Sequence, residues 1–360
     1  MKRLALAALG AALFAQGASA QENTGAAAPC GDPRVPQSAQ QTCTVVAQAL
    51  ESAQPQLGIL LAGGNPTLGT ASTGGIRLGV LPRISATVKA NVVLVRLPDI
   101  LAEAGGGRVQ ELNERVGIPA PALSGTLSAG LYPGISLAPT VGGVGAVDLL
   151  ASASWLPLEP LGVEGFGRST SDFAWGVGAR VGILRESFTT PGISVSGMYR
   201  RMGDLGFGDV CAQPAAATEE TREGYRLQYG ACTGGGNAGE FTADLTDLSG
   251  RAAISKRLFG WGLTAGVGYD RFESDAGFGF RGACPTGTQQ CFFRVSELEV
   301  DNDRWSAFAN ASFTALVATL ALEAGWLQGA EPLRSFRNLR SEFDPKTGTF
   351  FGSIGLRVSL

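Results

Sequence analysis

Eleven segments of this chain place apolar side chains at every second position, and the last of them runs to the final residue. In FFGSIGLRVSL, Ile354, Leu356, Val358 and Leu360 alternate with Ser353, Gly355, Arg357 and Ser359. Successive side chains of a strand point to opposite faces, so this spacing gives one apolar face and one small or charged face. The same pattern recurs upstream. Ile76, Leu78 and Val80 flank Arg77; Ala86 to Leu94 flank Thr87, Lys89 and Asn91; Leu123 to Ala129 begin a third segment. Val147 to Trp155 oppose Asp148, Phe173 to Ile183 oppose Arg180, and Ile193 to Tyr199 oppose Arg200. Leu248 to Ile254 oppose Arg251, Trp261 to Tyr269 oppose Asp270, Trp305 to Phe313 oppose Asn310, and Leu320 to Trp326 oppose Glu323.

Such strands fit either a soluble sandwich or a barrel whose apolar face meets lipid. Connection lengths separate the two. Short links near Pro82, Pro139–Gly143, Thr189–Gly192, Phe259–Gly260 and Leu316–Val317 alternate with long ones at roughly 98–121, 157–171, 202–240, 275–301 and 329–347. Tight turns at one end and long loops at the other are the rhythm of a transmembrane barrel. Composition agrees: 44% of residues are hydrophobic and only 16% charged, against roughly 25% charged in a soluble domain. No run of apolar residues after the N-terminal one is long enough to cross a bilayer as a helix.

The N-terminus supplies the address. Met1-Lys2-Arg3, an apolar run from Leu4 to Ala15, and Gly17-Ala18-Ser19-Ala20 form the three parts of a secretory signal peptide, residues 1–20. Without Lys2 and Arg3 the formal charge moves from −3 to −5, which argues against nucleic acid as a partner. Residues 21–55, rich in Ala, Gln and Pro, read as an N-terminal extension or plug, with one short amphipathic helix over Thr42–Ala53. Residues 56–360 read as the barrel. If the last strand ends on the turn side, parity requires a strand before 72–82, and Leu57–Ala62 is the candidate. The expected fold is therefore all-β: a transmembrane up-and-down antiparallel β-barrel of about 12 strands, within a range of ten to fourteen.

Trp155, Trp175, Trp305 and Trp326 fall at the loop ends of their strands and Trp261 at a turn end, as an interfacial aromatic girdle requires. Cys30, Cys43, Cys211, Cys232, Cys284 and Cys291 are an even set in an exported chain; their clustering favours neighbouring pairs, although the sequence leaves the connectivity open. The chain has no histidine, which excludes a Ser-His-Asp triad. No P-loop lysine follows Gly234-Gly-Gly-Asn237, and no zinc spacing is present. The expectation is of no enzyme, no cofactor and no metal; the acidic run Glu297–Asp303 reads as a solvated strand end.

The residues left for function are those on the polar phase of the strands. Arg77, Lys89, Arg180, Arg200, Arg251 and Arg357, with Asp148, Asp270 and Glu323, are lumen-lining candidates. They either pair across a narrow interior or line a pore and bias which ions pass.

Over residues 56–360 the chain resembles the general class of Gram-negative outer-membrane β-barrel proteins, through its signal peptide, alternation and terminal strand. The resemblance implies outer-membrane lipid, lipopolysaccharide and the barrel-assembly machinery as partners. Gly63-Gly-Asn-Pro66 is similar to the Asn-Pro element of the long-chain fatty-acid transporter family, whose members carry an N-terminal plug and pass hydrophobic molecules through the barrel wall. The expected function is a passive channel or small-solute transporter. The alternatives are a plugged transporter of hydrophobic molecules and a closed structural or surface-recognition barrel.

Overall fold

Ten strands close on themselves around a segment of their own chain. The computed structural model describes residues 28–31, 35, 37–74, 76–77, 81–95, 118–136, 142–157, 173–222, 225–236, 239–284, 290–329 and 347–360. The strands of the ring are β1 (Ile84–Val95), β2 (Ile118–Tyr132), β3 (Ala146–Trp155), β4 (Phe173–Leu184), β5 (Gly192–Gly208), β6 (Gly239–Leu258), β7 (Trp261–Ala283), β8 (Gln290–Ala315), β9 (Ala318–Leu327) and β10 (Thr349–Ser359). Each pairs antiparallel with its sequence neighbours. The terminal strand completes the ring: Phe351 pairs with Val93 and Ser359 with Ser85. Among the described residues, closure leaves no sheet edge in the apolar band, where an unpaired backbone N–H or C=O has no water to meet.

Period two sorts the side chains. On β1, Thr87, Lys89 and Asn91 are buried inside while Val88 and Val92 face out. Leu127, Val177, Leu263, Leu322 and Ile354 are 51–69% exposed on the outer face, a surface that hydrocarbon solvates and water does not. Trp155, Trp175, Trp261, Trp305 and Trp326 all lie on that face. Tyr269 packs against Trp305 with ring centroids 5.2 Å apart, and Trp261 against Phe313 at 5.0 Å. The two rims are eight residues apart along β7, roughly 27 Å of strand, the order of the ~25 Å apolar band of outer-membrane barrels. Among the described residues no helix is long and apolar enough to span a membrane.

The ring is about the size expected, but its start differs. Leu57–Ala62 is the end of helix α1 (Gln37–Ala62), not a strand. A short apolar run fits either element, and here it is enclosed: every residue from Gly58 to Ala71 is buried, with no exposed phase. The helix passes through Pro55 rather than ending at Ala53. Ile76–Arg77 and Leu81–Pro82 are likewise outside the ring, paired with each other in a two-strand ribbon.

Two segments expected as long loops are mostly strand. β7 has 23 residues and β8 has 26, against 10 in β3 and β9, so this wall rises above the membrane as a lobe. A hairpin, Pro214–Arg222 with Tyr225–Cys232, covers the edge that β8 exposes beyond β9; Cys291 pairs with Ala231 and Ser296 with Arg226. Disulfides join Cys30–Cys43, Cys211–Cys232 and Cys284–Cys291, all in or beside the lobe. Its core packs Val35, Ala47 and Leu50 of the N-terminal segment against Phe278, Phe280, Phe293, Val295 and Leu298. The rings of Phe280 and Phe293 stack with centroids 5.1 Å apart.

The lobe also crowds carboxylates. Asp244, Glu273, Asp275, Glu299 and Asp301 line one recess with Arg271. Partial burial, then the charges of Asp244 and Glu273, push the Asp275 carboxyl above its ordinary pKa. Partial burial and then Glu273 do the same for Asp301. A raised folded-state pKa stabilises the fold below the unfolded pKa and loses that contribution as pH rises through the folded value. Asp275→Asn and Asp301→Asn are therefore expected to raise the midpoint of thermal unfolding at pH 8 and to change it little at pH 4, as read by tryptophan fluorescence in detergent micelles.

Candidate functional site

The N-terminal segment threads the lumen from the lobe to the turn end. α1 descends first, and its last turn packs Ile59, Leu60, Leu61 and Ala62 against Val93, Ala120, Ala122, Phe272, Phe308 and Phe351. Gly58 permits this approach, because a Cβ there would collide with the Phe272 ring. Glycines in the wall make the matching space: a side chain at Gly266 would strike Phe308, and one at Gly325 would strike Phe351.

Below the helix the contacts change from apolar to polar. A helix ends with carbonyls that have no partner within it, and these carry partial negative charge. Gly63 N–H returns to Ile59 O at 2.7 Å, with Gly63 in the left-handed region at φ 62°. The wall supplies the remaining donors. Asn91 Nδ2 donates to Leu60 O at 3.0 Å, Ser154 Oγ to Leu61 O at 3.5 Å, and Lys89 Nζ to Ala62 O at 3.2 Å. Arg251 donates to Gly64 O at 2.9 Å and to Gly63 O at 3.3 Å.

Next the chain presents N–H groups, and the wall presents carboxylates. Glu323 accepts from Gly64 N at 3.0 Å and from Asn65 N at 2.9 Å. Asn310 Nδ2, at 3.0 Å, holds the same carboxylate. There is no room for a side chain at Gly64, since a Cβ would lie 2.8 Å from Glu323 Cδ. Asn65 then organises its own turn, accepting from Thr67 N at 3.1 Å and donating to Thr70 O at 3.0 Å. Further down, Arg357 donates to Leu68 O at 3.0 Å, Ser255 Oγ accepts from Ala71 N at 3.0 Å, and Asp148 accepts from Gly74 N at 3.0 Å.

The lumen charges fall into two groups. Arg180–Asp148, Arg200–Asp247 and Arg251–Asp270 are buried ion pairs at 2.6, 2.7 and 2.6 Å. Lys89, Glu323 and Arg357 instead direct their hydrogen bonds at the threaded backbone. Three of the ion-paired residues also hold the thread: Arg180 bonds Thr67 Oγ1, Arg251 bonds the carbonyls of Gly63 and Gly64, and Asp148 accepts from Gly74 N. The side chain of Arg77 lies outside the described residues. Reading from sequence missed Asp247, which sits on the phase of Ser249 and Arg251 one step beyond the recognised segment. It also missed Asn91, Ser154, Ser255 and Asn310 as contacts, since neutral lumen residues carry no charge to single them out. Higher up, Gln54 Nε2 donates to Val300 O at 2.7 Å and Asn302 Nδ2 to Gln54 Oε1 at 2.5 Å, fixing α1 to the lobe.

A lipid-facing antiparallel ring with a polar interior defines a transmembrane β-barrel of the outer-membrane kind, here with its N-terminal segment as the plug. No family model and no curated protein matches the chain. Among solved structures, the outer membrane protease OmpT from Escherichia coli is 11% identical with a TM-score of 0.28, covering 77% of this chain and 97% of that one. Neisserial surface protein A is 7% identical with a TM-score of 0.27, over 77% and 97% of the two chains. A Pseudomonas aeruginosa FadL homologue is 9% identical with a TM-score of 0.26, over 86% and 97%. At these scores the likenesses carry no argument, and the class rests on the ring itself.

Removing the Glu323 carboxylate tests how the plug is held. Glu323→Ala strands two buried amides, each costing about 1–3 kcal/mol. The expected outcome is faster hydrogen exchange at Gly64 and Asn65 while the β9 and β10 amides stay protected, measured by mass spectrometry in micelles.

Proposed function

We propose that this chain is a gated transporter of small solutes in the Gram-negative outer membrane, exported by a signal peptide cleaved after Ala20, and that its plug is the gate. One observation carries the reading. Residues 63–74 are fastened mainly by hydrogen bonds from wall side chains to their backbone, and water can take over such bonds one by one when the segment shifts. An apolar seam offers no such substitute. The passive channel or small-solute transporter expected from sequence becomes, on this reading, one that conducts only when the plug moves, because Gly58 to Ala71 lie buried across the interior. The reading includes no catalytic step and no cofactor.

A closed structural barrel is the second reading. It is favoured by the three buried ion pairs, which set the lumen charges against one another in the plugged state. A transporter of hydrophobic molecules would use the aromatic core of the lobe, where Phe278, Phe280 and Phe293 meet the N-terminal segment.

Recordings in planar bilayers separate these. The wild type is expected to give rare steps. Glu323→Ala, by weakening the clamp about 3 kcal/mol, is expected to raise the open fraction about a hundredfold. Gly58→Leu, which forces α1 away from Phe272, should act in the same direction. Absence of steps in all three proteins would favour the structural barrel and remove the gate.

A further inference from the structure

The turn end of the lumen opens into a cavity of about 730 Å³ beneath the threaded segment. Arg83, Arg180, Arg185, Arg257, Arg357 and Glu186 supply its charged lining. Asp148 neutralises Arg180. Arg257 reaches Glu186 only at 3.9 Å. Arg83, Arg185 and Arg357 have no ion pair among the described residues. The excess is about three positive charges.

Two observations point to a ligand rather than to a solvated basic rim. Arg357 is only 6% exposed, and its bonds go to Leu68 O at 3.0 Å and Thr319 Oγ1 at 3.5 Å, neither of them an anion. Its Nε, Arg185 Nε, the hydroxyl of buried Thr73 and one carboxylate oxygen of Glu186 have no hydrogen-bond partner among the described residues; all four residues line this cavity, and three of the four atoms are donors. A buried guanidinium without a counter-anion is costly, and a planar fork of donors is the shape that binds an oxyanion in two places at once.

We infer that this vestibule is an oxyanion-binding site, and that its ligand carries a phosphate group. Three uncompensated positive charges suit a dianion better than a single carboxylate, and the volume admits a small phosphorylated molecule as well as the headgroup of a lipid from the leaflet beside the turns. The phosphate seats between Arg357, Arg185 and Arg257, with Thr73 as a neutral donor. The site does not depend on whether a solute crosses the barrel, so it is tested by binding alone.

The full chain is placed in nanodiscs of zwitterionic lipid and titrated calorimetrically with glycerol 3-phosphate, with acetate and chloride at matched ionic strength as comparators. Saturable binding of glycerol 3-phosphate is expected, weakened by salt and absent for chloride. Arg357→Gln is expected to lower the affinity about tenfold or more, the worth of a charged hydrogen bond. Arg257→Gln, which leaves the plug contacts intact, is the second variant and should also weaken binding. Arg271→Gln, exposed on the lobe, should not. A second set of discs containing phosphatidylglycerol distinguishes the sources. If the lipid competes with glycerol 3-phosphate in an Arg357-dependent way, the headgroup is the ligand; if it does not compete, the ligand is soluble. Equal response to chloride and phosphate, or affinities unchanged in both Arg357→Gln and Arg257→Gln, would overturn the site.

Discussion

Hydrocarbon accepts no hydrogen bond, and almost every feature of this molecule follows from that refusal. The strands have to pair on both sides, so the last must find the first, and β10 lies against β1. A ring of ten encloses a space too wide for its own short inner side chains to fill. The chain fills it with a helix and an extended segment. That choice imports backbone groups into a place with little water, and the wall has to answer each of them. Lys89, Asn91 and Arg251 meet carbonyls, and Glu323 and Asp148 meet amides. The charges on the inner face are thus complementary to a peptide, read from helix end to ribbon.

The barrel was legible because period two is a direct record of which solvent each face meets. Lys89, Arg180 and Glu323 declare an inward phase, and Val88, Val177 and Leu322 an outward one. The turns at Phe259–Gly260 and Leu316–Val317 were legible for a related reason: each interrupts two alternating runs by only two residues. The extended lobe was not. Phe272-Glu-Ser-Asp275 has the composition of a loop and Glu297–Asp303 that of a strand end in water, and both lie within long strands because partners across the sheet hold them there. Propensity cannot report a partner.

The plug shows the other limit. Leu57–Ala62 is apolar at successive positions, which fits a buried helix and a buried strand equally. What continues the helix is enclosure by the wall, a property of residues far away in sequence. The site has the same character. Charged lumen residues could be picked out one at a time, but Lys89, Glu323 and Arg357 bond main-chain atoms of residues 62–68, and a main-chain atom has no letter in the sequence. Gly63 and Gly64 come nearest to a signal. Their lack of a side chain is what lets Lys89 and Glu323 come up to the backbone.

A thread that runs through a sealed ring constrains the order in which the object is made. The groups that grip residues 60–68 sit on strands from both ends of the ring: Lys89 and Asn91 on β1, Glu323 on β9 and Arg357 on β10. Neither side of the seam holds the cord alone. The cord therefore seats as the hoop shuts, and it draws the two ends of the sheet together.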